Sequence, residues 1–298
     1  MRSRALGPLR IHRIVEIERM AVQADRFLLG MSEEANALAK QWLDERFIEP
    51  RTNELFISFH SFVLEAGGRR ILVDACHGND KRRTGNIAYA DSMRTDYLTN
   101  LANAGFAPED IDIVLCTHLH YDHVGWNTRL ENGRWVPTFP NARYLMTKID
   151  FDHFSRLPAN TPESHHAAAF EDSVLPVVRA AQADLLAAAD VPSFDLSRGV
   201  RLELAPGHTP GSIVVHLQND FGRAILSGDV IHHPLQIFQP ALHVEGEHDS
   251  AQATRTREML IEQCAETGAL LLPAHFPAPT AGKIVRRDGG FRFDCGAE

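Results

Sequence analysis

The chain has 298 residues, 44% of them hydrophobic, and a formal net charge of −9 at pH 7. This length allows one large domain with a substantial core, and the acidic balance argues against a nucleic-acid substrate, which usually requires a basic face. The sequence has no apolar segment long enough for a signal peptide or a membrane span. Its four cysteines are scattered and form no Cys-x-x-Cys pair, which favours reduced thiols. We therefore expect a cytoplasmic protein that makes no membrane contact.

Apolar patterns predict strands and helices in alternation along the chain. Strands are predicted at 11–18, 56–66 and 70–74, the last two joined by a hairpin turn at Gly67-Gly68. An amphipathic helix is predicted at 32–47 behind the candidate cap Ser32, and another at 93–104 that ends at Gly105. The remaining predicted elements are strands at 111–116, 142–146, 200–204, 213–217, 223–226 and 269–272, and helices at 165–189 and 251–267.

Three imidazoles and a carboxylate occupy six consecutive positions directly after the strand predicted at 111–116. In an extended segment alternate side chains share a face, so His118 and His120 would project together from the end of that strand. A turn at this point would bring Asp122 and His123 to a second position nearby. Imidazole nitrogens and carboxylate oxygens are the ligands that a zinc-like ion takes. The segment therefore predicts a metal site at the end of a strand.

Three further metal-capable side chains each follow a short apolar run. His208 lies in the loop Pro-Gly-His-Thr-Pro-Gly, Asp229 ends the run 224–229, and His275 follows the run 270–274. Taken singly, each is more often a capping or hydrogen-bonded residue than a ligand. Their repetition at strand ends, together with the first motif, indicates that they complete the same metal site.

The order His-x-His-x-Asp-His, Pro-Gly-His-Thr-Pro-Gly, Gly-Asp and a final His resembles the metallo-β-lactamase-fold hydrolases. The resemblance runs from about Phe56 to the C-terminus and includes the strand motif Ile71-Leu72-Val73-Asp74. It implies an α/β fold, a four-layer αββα sandwich, in which residues 1–298 form a single domain. The helix predicted at about 32–47 would be an N-terminal insert that covers the site or contributes to a homodimer contact.

The same resemblance implies two divalent metal ions, zinc being the expected metal. The implied ligands are His118, His120 and His208 for one ion, Asp122, His123 and His275 for the other, and Asp229 as a bridge between them. Asp74 would support the ligands by accepting a hydrogen bond from an imidazole.

The resemblance also implies a hydrolase that uses a metal-bound hydroxide on a small-molecule substrate. The spacing and the Trp126-Asn127 continuation look most like the lactonase and organophosphate-hydrolase branch, so we expect opening of a lactone or cleavage of a carboxylic ester. Organophosphate or aryl-ester hydrolysis is the nearest alternative. A mononuclear iron dioxygenase on the same fold and a non-catalytic zinc protein are further alternatives.

Histidines outside the ligand set have open roles. Quorum-signal lactonases resemble this chain but carry a tyrosine three residues after the bridging aspartate, where His232 stands here. His232 is therefore a candidate catalytic residue with Asp122 and Asp229, although it could instead form a solvated loop pair with His233. His165 and His166 begin a predicted helix, and we expect both to be exposed.

Overall fold

The computed structural model describes residues 2–33, 37, 43–83, 85–158, 164–194, 196–287 and 289–296. The chain divides into two compact units. The first unit comprises Arg2–Glu16 and Phe59–Arg198, and the second comprises Ile17–Ser58 and Gly199–Glu298. The single domain expected over 1–298 stays a prediction.

A largely buried sheet organises the first unit. The strand order of this sheet is Ser3–Leu6, Leu9–Gln23, Glu54–Ala66, Arg69–Val73, Ile113–Leu115, Arg143–Thr147 and Ala183–Leu186. The last four strands run parallel to one another, so their carboxyl ends meet at one edge of the sheet. Polar residues that follow these strands are therefore brought close together.

Helices and one small hairpin cover the sheet of the first unit. The helices are Gly85–Ala90, Tyr97–Asn103, Pro108–Asp110, Tyr121–Val124, Gly125–Asn127, Lys148–Phe154, Ser164–Ala169, Phe170–Val174, Leu175–Arg179 and Val191–Ser193. The hairpin pairs Thr128–Glu131 with Arg134–Pro137 through an Asn132-Gly133 turn in which both residues have positive φ. The core between sheet and helices contains Leu72, Val114, Tyr144 and the stacked rings of Tyr97 and Trp126.

The second unit is built on a six-stranded sheet and one long helix. Its strand order is Val200–Leu204, Ile213–Asn219, Gly222–Gly228, Leu270–Pro273, Gly282–Arg287 and Gly290–Asp294. A short strand, Ile48–Glu49, pairs with the beginning of Glu54–Ala66. Its helices include Ala24–Phe27, Leu235–Phe238 and Ser250–Thr267. Gly222–Gly228 and Leu270–Pro273 are parallel neighbours, so the residues after them, Asp229 and His275, emerge at the same sheet edge.

Every predicted strand is present with its ends within five residues of the predicted ones, and the Gly67-Gly68 turn joins Glu54–Ala66 to Arg69–Val73 as expected. The helix predicted at 93–104 begins only at Tyr97. The reason is that Thr95 is held outside the helix, with its N–H donated to Asn79 and its hydroxyl to Glu16.

Neither of two other predicted helices extends over its full predicted length. The alanine-rich stretch 165–189 is not helical throughout, because Ala183–Leu186 pairs as a parallel strand with Arg143–Thr147, a long-range contact that outweighs helix propensity. Half of the insert predicted at 32–47 lies outside the described residues, and its last part, 43–47, forms a bend and a turn. No helix among the described residues is long and apolar enough to cross a membrane.

Candidate metal centre

The carboxyl ends of two parallel strands hold the histidine motif in place. Asp74 follows Arg69–Val73 with a positive φ of 60°, which turns the chain sharply at the strand end. Its Oδ1 accepts the Thr117 N–H at 2.7 Å, and its Oδ2 accepts the Thr117 hydroxyl at 2.9 Å. Asp74 Oδ2 also accepts the Nδ1–H of His123 at 2.9 Å. The hydrogen bond from an imidazole that was expected of Asp74 is therefore present, and it places Nε2 of His123 on the side of the ring away from this carboxylate.

The four residues of the motif divide into two pairs. His118 and His120 lie on the non-helical segment after Ile113–Leu115, which bends at Thr117 and His118 instead of staying extended, and one metal-capable ring nitrogen of each histidine lies within 4.8 Å of that of the other. Asp122 and His123 lie on the one-turn helix Tyr121–Val124, with Asp122 Oδ2 3.7 Å from His123 Nε2. All three imidazoles are buried.

A fourth imidazole, His166, lies against the motif. Its ring stacks on that of His120, with centroids 4.1 Å apart and planes at 27°. The expectation that His166 is exposed is therefore wrong: the residue is buried, whereas its neighbour His165 is partly buried and packs edge-on against Tyr121. The sequence signal was weak, because His166 sits in an alanine-rich helix 43 residues beyond the motif.

A buried carboxylate that no sequence pattern singled out supports the loop after Asp74. Glu16 accepts the Nδ1–H of His77 at 2.9 Å and the indole N–H of Trp126 at 2.6 Å. These hydrogen bonds lower the pKa of Glu16 against the large opposing effect of its burial, so the carboxylate is ionised. Because Trp126 lies just beyond His123, the Glu16 carboxylate joins the segments on both sides of the motif. His77 is thus a buried structural residue and Trp126 a core residue.

The second unit gathers its own set of metal-capable groups around one carboxylate. Asp229 Oδ2 lies 3.3 Å from His208 Nε2 and 3.2 Å from His232 Nε2. Asp229 Oδ1 lies 3.1 Å from His275 Nε2, while the Nδ1–H of His275 donates to the Ser58 carbonyl at 3.0 Å. All four side chains are no more than 5% exposed.

The protonation of this set suits a divalent cation. Burial lowers the pKa of both His208 and His232, and the nearby Asp229 carboxylate only partly opposes that effect. Both rings are therefore neutral near pH 7, the form in which imidazole binds a metal. A buried carboxylate among neutral imidazoles is the donor set that a divalent ion would compensate.

The adjacent histidines His232 and His233 have opposite environments. His232 faces Asp229, and its backbone N–H donates to Gln236 Oε1 at 2.7 Å. His233 instead donates its Nε2–H to the Phe47 carbonyl at 3.0 Å and accepts the Leu235 N–H at Nδ1. Burial lowers the pKa of His233 to about 4, so this ring is a neutral structural group. The solvated-pair alternative is excluded, since both side chains are buried.

A buried arginine anchors the loop that carries Asp229 and His232. Arg257 donates its Nε–H to the Val230 carbonyl at 2.7 Å and pairs with Glu247 Oε1 at 2.8 Å, and both charged side chains are fully enclosed. Two more carbonyls, those of Pro240 and Leu242, accept from Nη1. No sequence motif identifies Arg257, because its partners lie 10 to 27 residues away.

Comparison with known proteins defines the family. A family model described as the metallo-beta-lactamase superfamily matches residues 60–275, well over half of the chain. The chain belongs to the metallo-β-lactamase superfamily. The matched span contains every residue of the predicted ligand set, and the α/β fold predicted from the resemblance is confirmed. No curated protein matches the chain.

Solved structures share this fold at low sequence identity. The hydrolase AbOPH of the β-lactamase superfamily is 20% identical with a TM-score of 0.80, and AidC, a dizinc quorum-quenching lactonase, is 21% identical with a TM-score of 0.82. Each comparison covers 99% of this chain and 97% of the other. A probable metal-dependent hydrolase from Staphylococcus aureus is 18% identical with a TM-score of 0.76, covering 99% and 100%. Superfamily membership and the clustered donor groups support a metal-dependent hydrolase.

Proposed function

We propose that this protein is a dinuclear metal-dependent hydrolase that opens a lactone or cleaves a carboxylic ester. The observation that carries the proposal is the arrangement of Asp229, a buried carboxylate within 3.3 Å of three imidazole nitrogens. A buried carboxylate among neutral imidazoles carries a negative charge that a bound cation would offset.

The ligand assignment follows the order of motifs in the family. The proposed ligands are His118, His120 and His208 for one ion, Asp122, His123 and His275 for the other, and Asp229 as the bridge. When bound, the two ions supply a water-derived nucleophile near neutral pH and polarise the scissile carbonyl. We expect zinc, since imidazole and carboxylate donors suit it.

The chain's own residues prepare the ligands for this role. Asp74 holds His123 in the tautomer with the proton on Nδ1, and the Ser58 carbonyl does the same for His275, so that Nε2 of each ring carries the lone pair. Ligand rings fixed by such partners keep their orientation before an ion arrives. The neighbouring loops are fixed in turn by Glu16 in the first unit and Arg257 in the second.

We assign His232 to the substrate, where its neutral ring would hold a proton at Nε2 and donate a hydrogen bond from it to the scissile carbonyl oxygen. Three contacts support this assignment. Nε2 lies 3.2 Å from Asp229 Oδ2, the main chain is fixed by Gln236, and the ring of Phe27 packs edge-on against the imidazole at 6.2 Å. Phe27 would provide an apolar wall beside the reacting group.

A small-molecule lactone is the substrate class we favour within this function. The AidC structure contains N-hexanoyl-L-homoserine as a product, and that protein shares the fold along nearly the whole chain. Organophosphate or aryl-ester hydrolysis is the alternative to be tested beside it, and a cytoplasmic homodimer stays a prediction.

Metal content and hydrolysis measured on one sample test the proposal. Elemental analysis of protein purified without added metal should find two zinc-like ions per chain, and a screen of lactones, carboxylic esters and organophosphates should reveal turnover. Asp229→Ala should lower the occupancy of both metals. One iron per chain without hydrolysis would replace this function with the dioxygenase alternative.

A matched pair of variants tests His232. His232→Ala should lower kcat while both metals remain bound, whereas His233→Ala should act only through stability, because His233 bonds to Phe47 and Leu235. Equal kinetics in His232→Ala and the unchanged protein would remove His232 from the mechanism.

A further inference from the structure

His120 is enclosed by rings in the first unit. His118 lies edge-on at 4.7 Å with an interplanar angle of 79°, and Phe154 lies edge-on at 5.6 Å and 90°. The face of the His120 ring is covered by His166 at 4.1 Å and 27°. Phe154 also contacts His166, at 5.8 Å. His120 therefore has its orientation set by packing.

The helix that carries His166 is firmly anchored. Ser164–Ala169 continues into the π-helical turn Phe170–Val174. In this turn the Asp172 carboxylate accepts from Arg83 Nη1 at 2.7 Å and Nη2 at 3.1 Å, and it lies 3.5 Å from Lys81 Nζ. Arg83 and Lys81 are both buried. A π-turn widens the helix locally and is common near functional sites. Here it lets one helix present Asp172 to the buried cations and His166 to His120.

We propose that His166 is a positioning residue that orients His120 for metal binding. The inference rests on the proposed function, since it takes His120 as a ligand. An imidazole ligand has two side-chain torsions that must be fixed when the ion binds. A face-packed ring fixes them in advance, which raises affinity for the ion without contacting it.

The contact depends on ring shape. A nearly parallel pair at 4.1 Å is held by stacking, and phenylalanine at position 166 would keep that face while removing both ring nitrogens. Alanine would remove the face, and leucine would fill space without providing a flat surface. The phenylalanine variant therefore tests whether the ring nitrogens matter, and the leucine variant tests whether side-chain volume alone is enough. The alanine variant removes both ring and volume.

Zinc affinity measured by chelator competition provides the test. We expect His166→Ala and His166→Leu to weaken one of the two zinc sites about tenfold or more, in the range found for residues that support metal ligands. His166→Phe should stay within about threefold of the unchanged protein. His12→Ala is the matched control, because His12 also packs against a ring, edge-on against that of Phe106, and pairs with Glu65. It should leave both sites unchanged.

Two results would overturn the positioning role: unchanged zinc affinity in the alanine and leucine variants, or a phenylalanine variant as weak as alanine. A cooperative thermal unfolding transition checks that each metal-free variant is folded. If His166→Ala does not fold, His166→Leu takes its place in the comparison. His120→Ala separates the two proposals. If it still binds two zinc ions, the ligand assignment fails, whereas loss of zinc there with normal affinity in His166→Ala refutes the positioning role alone.

Discussion

Replacing Arg257 with methionine tests how strongly a buried charge holds the Asp229 loop. The guanidinium is fully enclosed, donates to the carbonyls of Val230, Pro240 and Leu242, and pairs with the enclosed carboxylate of Glu247. Methionine fills a similar length without any donor. The variant therefore leaves three carbonyls without this donor and a carboxylate without its cation.

The expected loss follows from the unpaired charge. Removing one member of a buried ion pair costs about 3–5 kcal/mol, and this would be a large share of a total stability of about 5–15 kcal/mol. If the unpaired carboxylate is the cause, the double variant Arg257→Met with Glu247→Leu should recover at least about 1 kcal/mol, because an apolar pair of similar size removes the buried charge.

Urea unfolding followed by circular dichroism measures both free energies, with the metals removed by chelator so that metal binding does not contribute. Arg255→Met in the same helix is the control, because Arg255 donates to Gln252 at an exposed position and should change stability by less than about 0.5 kcal/mol. A loss below about 1 kcal/mol for Arg257→Met, or a double variant no more stable than the single one, would refute the argument.

Three further predictions concern the first unit. Asp74→Asn should lower zinc affinity about 10- to 100-fold in chelator competition, because the single amide oxygen cannot accept both the Thr117 N–H that Oδ1 now accepts and the His123 Nδ1–H that Oδ2 now accepts; unchanged affinity would contradict this. Gly125→Ala should destabilise the protein by about 1–3 kcal/mol in urea unfolding, because its added carbon would overlap the His77 carbonyl; equal stability would show that the loop adapts. Burial lowers the pKa of Lys81 to about 7, so the folded state binds fewer protons than the unfolded state between about pH 7 and 10. Stability relative to Lys81→Met should therefore rise with pH across that window, by at most about 1.4 kcal/mol per unit in pH-dependent unfolding, and a flat difference would contradict the shift.

The sequence brings the metal-capable residues of the motif together because they are neighbours in the chain. His118 to His123 occupy consecutive positions after an apolar strand, and a bend followed by a one-turn helix holds them near one another. The strand-end positions of Asp229 and His275 follow from the same logic, since both succeed short buried strands. Strand boundaries were recovered because buried strands have a distinctive apolar composition.

Other residues of the site could not be found in this way. From the sequence, Glu16 is predicted to be an ordinary strand residue, Arg257 an ordinary helix residue, and His166 part of an exposed helix. Each acquires its role from a partner 27 to 110 residues away, such as Val230 for Arg257 or Trp126 for Glu16. The strand Ala183–Leu186 was missed for the same reason, since only pairing with Arg143–Thr147 makes an alanine-containing segment extended.

The sequence by itself determined which metal-capable side chains are present, their order and the strands that precede them, because these depend on residue type and on neighbours within a few positions. Only the tertiary structure decided which histidine faces the Asp229 carboxylate and which is turned away. His232 and His233 are adjacent and chemically identical, and they differ because the fold offers one a carboxylate and the other the Phe47 carbonyl. The same holds for the protonation of each ring: burial lowers the pKa of both imidazoles, and the neighbouring sequence does not predict that burial.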